Sequence, residues 1–173
     1  MHPLAEFKYC PKCGSASFHE HNFKSKACAA CGFVYYFNCS SSTAAFIKDA
    51  NNRLLVVRRA NDPAKGTLDL PGGFVDPDEN AEEAVKREIC EETGLEVSRV
   101  HYLFSIPNRY LYSGFEVHTV DLFFECFVND FTATKADDDA SEIIFIPLNE
   151  INPDDFGLVS IRKAITQFII YNS

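Results

Sequence analysis

From Cys39 onward the chain alternates short apolar runs with polar breaks marked by glycine, proline or asparagine. The run over residues 42–48 is small and apolar, and residues 53–59 enclose Leu54-Leu55-Val56-Val57. Apolar runs this short, bounded by turn residues, read as buried strands. Between them Asp49-Ala50-Asn51-Asn52 tolerates left-handed backbone, so the pair predicts a β-hairpin. Pro63 and Gly66 mark a polar loop, a short strand follows at 68–70, and Pro71-Gly72-Gly73 ends it. A helix is expected over 81–92. Asn80 can cap it, Glu83 three residues later completes a capping box, and Gly94 suits the left-handed position at its end. Strands are expected at 97–105, 119–128 and 143–146, a polar loop at 135–139, and a last helix at 159–171. This order predicts an α/β fold with a mixed sheet and helices on both faces.

The N-terminal stretch has a different grammar. Cys10-Pro11-Lys12-Cys13 and Cys28-Ala29-Ala30-Cys31 are two C-x2-C knuckles separated by fourteen residues, each followed by glycine. Four thiolates so arranged close a tetrahedral site that suits structural Zn²⁺, with a rubredoxin-like iron site as the alternative. A module of about 30 residues is too small to fold on its own core, so the ion is expected to supply folding energy. Lys8, Lys12, Lys24 and Lys26 make the module locally basic, and its expected role is packing, dimerisation or partner binding. The other three cysteines, Cys39, Cys90 and Cys126, lie in apolar segments, and Cys90 reads as a small buried group. Paired knuckles with an odd total of seven argue for a metal site in a reducing compartment, not a disulfide framework. The expected division is a zinc ribbon over 1–38 and an α/β domain over 39–173.

Composition narrows the functional classes. Apolar residues make up 46% and charged residues 24%, the balance of a globular domain, with sixteen Phe and seven Tyr to fill a core. A net charge of −9 argues against a broad basic face for nucleic acid, although bound cations can still bring a phosphorylated small molecule to an acidic site. No apolar run reaches the length of a membrane span, and MHPLAEFKYC lacks a secretory stretch, so a cytoplasmic protein without membrane attachment is expected.

The chemistry concentrates at the end of the first helix. Glu88, Glu91 and Glu92 are spaced i, i+3 and i+4, which projects three carboxylates toward one side. Like charges at that spacing repel. A solvated acidic face is one reading, and a bound divalent cation that takes carboxylate oxygens is the other. The cluster belongs to a longer pattern: Gly73, five residues, Glu79, seven residues, Arg87-Glu88-Ile89, one residue, Glu91-Glu92, one residue, Gly94-Leu95. It resembles the complete Nudix box without a departure, and the flanking segments resemble the family layout over residues 39–171.

The resemblance implies a Nudix α/β/α sandwich and a Mg²⁺- or Mn²⁺-dependent hydrolase. Its substrate would be a nucleoside diphosphate linked to another moiety: a dinucleotide, ADP-ribose, a nucleotide sugar or an NTP. It implies Glu91 and Glu92 as metal ligands and Glu88 as ligand or general base. The Gly72 or Gly73 carbonyl completes the shell, and Glu79 pairs with Arg87 to lock loop to helix. Asp139 and Glu142 are further candidates for the base, and Arg58, Arg59, Arg109, Lys65 and Glu142 for substrate contacts, with Arg109 and Lys65 expected on loops. Tyr110, Tyr112 and Phe115 are candidates for a stacking face or for the core. A ribbon ahead of such a domain resembles NADH pyrophosphatases, whose Trp-containing signature has no counterpart in Ser105-Ile106-Pro107-Asn108-Arg109-Tyr110. A homodimer is the assembly suggested by analogy. The alternative function is a catalytically silent Nudix-fold sensor or nucleic-acid-binding regulator that reads through its ribbon.

Overall fold

In the computed structural model, residues 2–136 and 139–172 are described. They gather into two compact units, one ending at Cys39 and the other beginning at Ser40. In the first, Phe18–Asn22 (β1), Ser25–Cys28 (β2) and Val34–Tyr36 (β3) form an antiparallel sheet. Its buried apolar cluster is Cys10, Phe18 and Cys28, with Phe33 packed against them, and Leu4 is buried as well. That is little apolar surface for a folded unit, which makes the thiol cluster its organising element.

The second unit contains Ser40–Ile47 (β4), Arg53–Arg59 (β5), Leu68–Asp69 (β6), Ala81–Thr93 (α1), Val97–Tyr112 (β7), Phe115–Val128 (β8), Ala140–Pro147 (β9) and Val159–Tyr171 (α2). Strands β4, β8 and β7 form a mixed sheet, parallel between β4 and β8 and antiparallel between β8 and β7. Strands β6, β5 and β9 form an antiparallel one. Period-2 alternation sends neighbouring side chains into different cores. Ala44, Phe46, Leu54 and Val56 join Phe123 under α2 residues Ile161, Ala164, Ile165 and Phe168. Ala45, Ile47, Leu55 and Val57 join Phe124 under α1 residues Val85 and Ile89. Both faces of β4 and β5 are therefore buried, with a helix on each side: the expected α/β/α sandwich.

The expected β4–β5 hairpin does not form. The turn itself exists: the Asp49 carboxylate accepts the Asn51 and Arg53 N–H groups, and Asn52 adopts φ +57°. Beyond a single bridge between Lys48 and Leu54 the strands part into different sheets. Both edges of β4 are already occupied. One pairs with β8 from Ser40↔Thr119 to Ile47↔Cys126. The other receives the glycine loop: the Thr43 N–H donates to Gly73 O, the Ala45 N–H to Pro71 O, and the Val75 N–H to Ser41 O.

Strands β7 and β8 run longer than their apolar pattern suggested, joined by Ser113-Gly114 with both residues at positive φ, the geometry of a tight hairpin turn. Segment 105–110 is therefore strand. Pro107 is tolerated because β7 is the edge of its sheet. No helix among the described residues is long and apolar enough to cross a membrane.

Phe46 is fully buried and stacks on Phe168 with ring centroids 3.9 Å apart, tying β4 to α2. Phe46→Ala is expected to destabilise the protein by about 3–5 kcal/mol in urea unfolding. Tyr171→Ala, at a side chain 75% exposed, should stay within about 0.5 kcal/mol.

Candidate active site

Helix α1 begins as its sequence demands. The Asn80 side chain accepts the Glu83 N–H at 2.9 Å, the Glu83 carboxylate accepts the Asn80 N–H at 3.0 Å, and Gly94 closes the helix at φ +70°. The box carboxylates occupy its last turns, against the loop that β4 holds by its edge. Gly72 sits at φ +147°, and a Cβ there would overlap the Thr43 carbonyl oxygen. A Cβ on Gly73 would lie 2.5 Å from Glu88 Oε1. Glycine is required at Gly72, which lies against the β4 backbone, whereas a side chain at Gly73 would displace the Glu88 carboxylate.

Arg87 organises the cluster. Its Nε and Nη2 contact the two Glu79 oxygens at 3.2 and 2.6 Å, and Nη2 also reaches the Phe74 carbonyl at 3.0 Å. Its Nη1 donates to Glu88 at 2.8 Å and to Glu91 at 3.0 Å. All five N–H donors of the guanidinium are used, a geometry Lys cannot reproduce. These bonds hold the Glu79 carboxyl below the usual carboxylate range. Glu92 faces inward, 6% exposed, and accepts the Gly72 N–H at 3.0 Å. Burial pushes its carboxyl up to about 8, which the Gly72 N–H opposes and nearby Asp69 and Glu88 reinforce. With Glu88 and Glu91 turned to Arg87 and Glu92 to Gly72, the three do not form a tight ligand cluster. Among the described residues the group whose ligand atoms lie within 4.8 Å of one another is Cys10, Cys13, Cys28 and Cys31. There the Cys10–Cys31 and Cys13–Cys28 sulfurs are 3.8 and 3.7 Å apart, in two matching turns at Gly14 and Gly32.

Beside the glycine loop lies a cleft of about 160 Å³, lined among others by Arg59, Asp69, Asn108, Tyr110, Asp121 and Asp139. Arg59 pairs with buried Asp69 at 2.5 Å, although burial still raises the Asp69 carboxyl. Asp139 accepts from Asn61 at 2.7 Å; Asp137 and Asp138 of the expected loop lie outside the described residues. The other sequence candidates stand apart from the cleft. Arg58 and Glu142 pair with each other at 2.8 Å across β5 and β9, so Glu142 is a strand residue with a cation partner. Arg109 lies on β7, not a loop, 66% exposed beside Glu116. Cys90 is exposed, because its neighbour Ile89 takes the buried position and the next helical side chain points away.

Two acids of the cleft, Asp69 and Asp121, are not among the residues expected from the sequence. Each is a lone acid inside an apolar strand run, Leu68-Asp69-Leu70 and Val120-Asp121-Leu122. A carboxylate at such a position is costly unless partnered, and that mismatch was the available signal.

A family model, NUDIX domain, matches residues 40–168, and the chain belongs to this family. The protein is 40% identical over 109 residues to the ADP-ribose pyrophosphatase of Methanocaldococcus jannaschii, covering 61% of this chain and 60% of that protein. It is 28% identical over 106 residues to the NAD-capped RNA hydrolase NudC of Vibrio atlanticus, covering 61% of this chain and 39% of that one. The match thus spans less than two thirds of either relative. In fold it resembles a NUDIX hydrolase from Nitrosomonas europaea, with TM-score 0.74 and 20% identity over 94% of this chain and 90% of the other.

The buried Glu92 sets a pH dependence in zinc-loaded protein kept free of Mg²⁺ and Mn²⁺. It holds its proton to about pH 8 when folded, but only to about 4.3 when unfolded. Between those values the folded state binds more protons, so stability falls as pH rises toward 8. Urea midpoints at pH 5.5, 7 and 8.5 should decline in wild type more steeply than in Glu92→Gln; equal slopes would contradict the assignment.

Proposed function

We propose that the chain is a Mg²⁺- or Mn²⁺-dependent pyrophosphohydrolase acting on a nucleoside diphosphate linked to another moiety, with ADP-ribose as the first substrate to test. The observation that carries the reading is the union of a buried carboxyl, Glu92, with Glu88 pressed onto Gly73 in a loop whose Gly72 has no room for a side chain. A carboxyl raised by burial and flanked by acids is suited to a hard divalent cation, which replaces the proton and relieves the repulsion. Glu88, Glu91 and Glu92 would hold the ions. Gly73 O already accepts the Thr43 N–H at 2.7 Å, so Gly72 is the better carbonyl ligand of the two. Divalent ions bound there polarise phosphoryl oxygens and lower the pKa of water.

The chain's own residues supply the rest. Arg87 fixes Glu88 and Glu91 and ties them to the loop through Glu79, a positioning role. Glu88 or Asp139 accepts the proton of the attacking water; Asp139 is favoured over Glu142 because it lines the cleft. Arg59 offers a cation to the phosphates from the same cleft. The name of the 40%-identical relative, ADP-ribose pyrophosphatase, supports this substrate class. The alternative of a silent sensor is disfavoured because every box carboxylate is present and held in the loop–helix network.

Hydrolysis of ADP-ribose, NADH, diadenosine polyphosphates, nucleotide sugars and nucleoside triphosphates should require Mg²⁺ or Mn²⁺. It should fall by about a hundredfold or more in Glu88→Gln and Glu91→Gln. Absence of turnover on all of them by folded wild type sinks the hydrolase reading. For the ribbon we propose structural Zn²⁺ on Cys10, Cys13, Cys28 and Cys31. Elemental analysis should find one zinc per chain, lost in Cys28→Ser together with protease resistance of the first 39 residues. Iron in place of zinc contradicts the assignment.

A further inference from the structure

Arg59 is the only cation among the described residues that line the cleft, whose lining also includes Asp69, Asp121 and Asp139. A diphosphate that enters meets three acids and one guanidinium, so the placement of that guanidinium decides whether the cleft can hold it. Two of the five N–H donors of Arg59 are used within the fold. Nε donates to the Pro63 carbonyl at 2.7 Å and Nη1 to Asp69 at 2.5 Å. Among the described residues nothing takes the other three, although the side chain is only 23% exposed. The neighbouring arginines differ. Arg87 commits all five donors to the helix and the glycine loop. Arg58 is held by Glu142 and the Gly66 carbonyl and does not line the cleft. Arg59 alone combines a place in the cleft with donors left to give.

Asp69 makes that placement definite. β6 pairs with β5 in the register Val57↔Asp69, which brings Asp69 beside the end of β5 where Arg59 stands. Asp69 is 6% exposed, and its Oδ1 accepts the Leu70 N–H at 2.8 Å while Oδ2 takes Arg59. A carboxylate tied to its own backbone cannot follow a wandering side chain; it fixes the arginine instead. With Pro63 O on Nε and Asp69 on Nη1, two contacts set the plane of one rigid fork. A free arginine would lose its rotamer freedom on meeting a phosphate, whereas here that loss is taken on folding.

We propose that Asp69 is a positioning residue: it holds the Arg59 guanidinium so that its unused N–H groups meet a phosphate of the ligand, and it acts on the ligand only through Arg59. The inference rests on the proposed function only in taking a diphosphate as the ligand. The competing role is a direct part in metal binding, because Asp69 lies near enough to Glu92 to raise its carboxyl.

The test is a double-mutant cycle read by calorimetric binding of ADP to the full chain at fixed Mg²⁺. Arg59→Gln should weaken ADP at least about tenfold, and Asp69→Asn about threefold or more. In the Arg59→Gln background the Asp69→Asn change should cost less than about 1.5-fold, since its intermediary is gone. A merely structural Asp69 would cost the same in both backgrounds. Affinity for Mn²⁺ alone should stay within about twofold in Asp69→Asn, against the tenfold or larger loss expected of a group in the metal shell. If Asp69→Asn does not fold, Arg59→Lys decides. It keeps the charge but not the fork, and should weaken ADP about threefold or more. Additive losses, wild-type ADP affinity in Asp69→Asn, Arg59→Gln or Arg59→Lys, a tenfold loss of Mn²⁺ in Asp69→Asn, or no ADP binding by wild type overturns the inference. Because binding is read without turnover, the two readings fail separately. The predicted cycle without hydrolysis of any substrate overturns the hydrolase alone; hydrolysis with additive losses overturns the positioning role alone.

Discussion

The guanidinium of Arg87 is the interaction on which the site depends. Five N–H groups meet the Glu79, Glu88 and Glu91 carboxylates and the Phe74 carbonyl. Without that cation, Glu88 and Glu91 would repel each other across one turn of α1, and the glycine loop would lose its tie to the helix. The loop is held from its other side by the edge of β4. Gly72 is thin enough to lie against the β4 backbone, and Gly73 leaves room for the Glu88 carboxylate.

This arrangement places acids where a fold optimised for stability would not. Glu92, Asp69 and Asp121 are each about 6% exposed, in a chain of net charge −9. Each is answered locally: Glu92 by the Gly72 N–H, Asp69 by Arg59 and the Leu70 N–H, Asp121 by three hydroxyls. The two apolar cores on either side of β4 and β5, closed by α1 and α2, supply the stability that offsets the buried charge. Function and fold meet at β4, whose side chains fill both cores while its two edges carry the β8 sheet and the glycine loop.

What the sequence made legible was local. The cap at Asn80, the end at Gly94, the Glu79–Arg87 spacing and the paired cysteine knuckles each depend on residues close in the chain, and the structure shows the corresponding contacts. What it hid depended on distant partners. The Asp49–Asn52 turn looks like a hairpin because turn chemistry is local, whereas the partner of β4 is decided by β8, some eighty residues away. Arg58 and Arg59 are adjacent in sequence, yet period-2 geometry sends one to Glu142 and the other to Asp69 at the cleft. Asp121 gathers donors from three elements and shows in sequence only as an acid out of place.

The most direct test of the central claim is anomalous diffraction from crystals of the full chain soaked in Mn²⁺. A manganese peak is expected between the helix and the glycine loop, coordinated by Glu92 with Glu88 or Glu91 and by the Gly72 carbonyl. Manganese bound elsewhere, with Glu88 and Glu91 still turned to Arg87 and Glu92 still on the Gly72 N–H, would show that these carboxylates serve the loop alone and contradict the account.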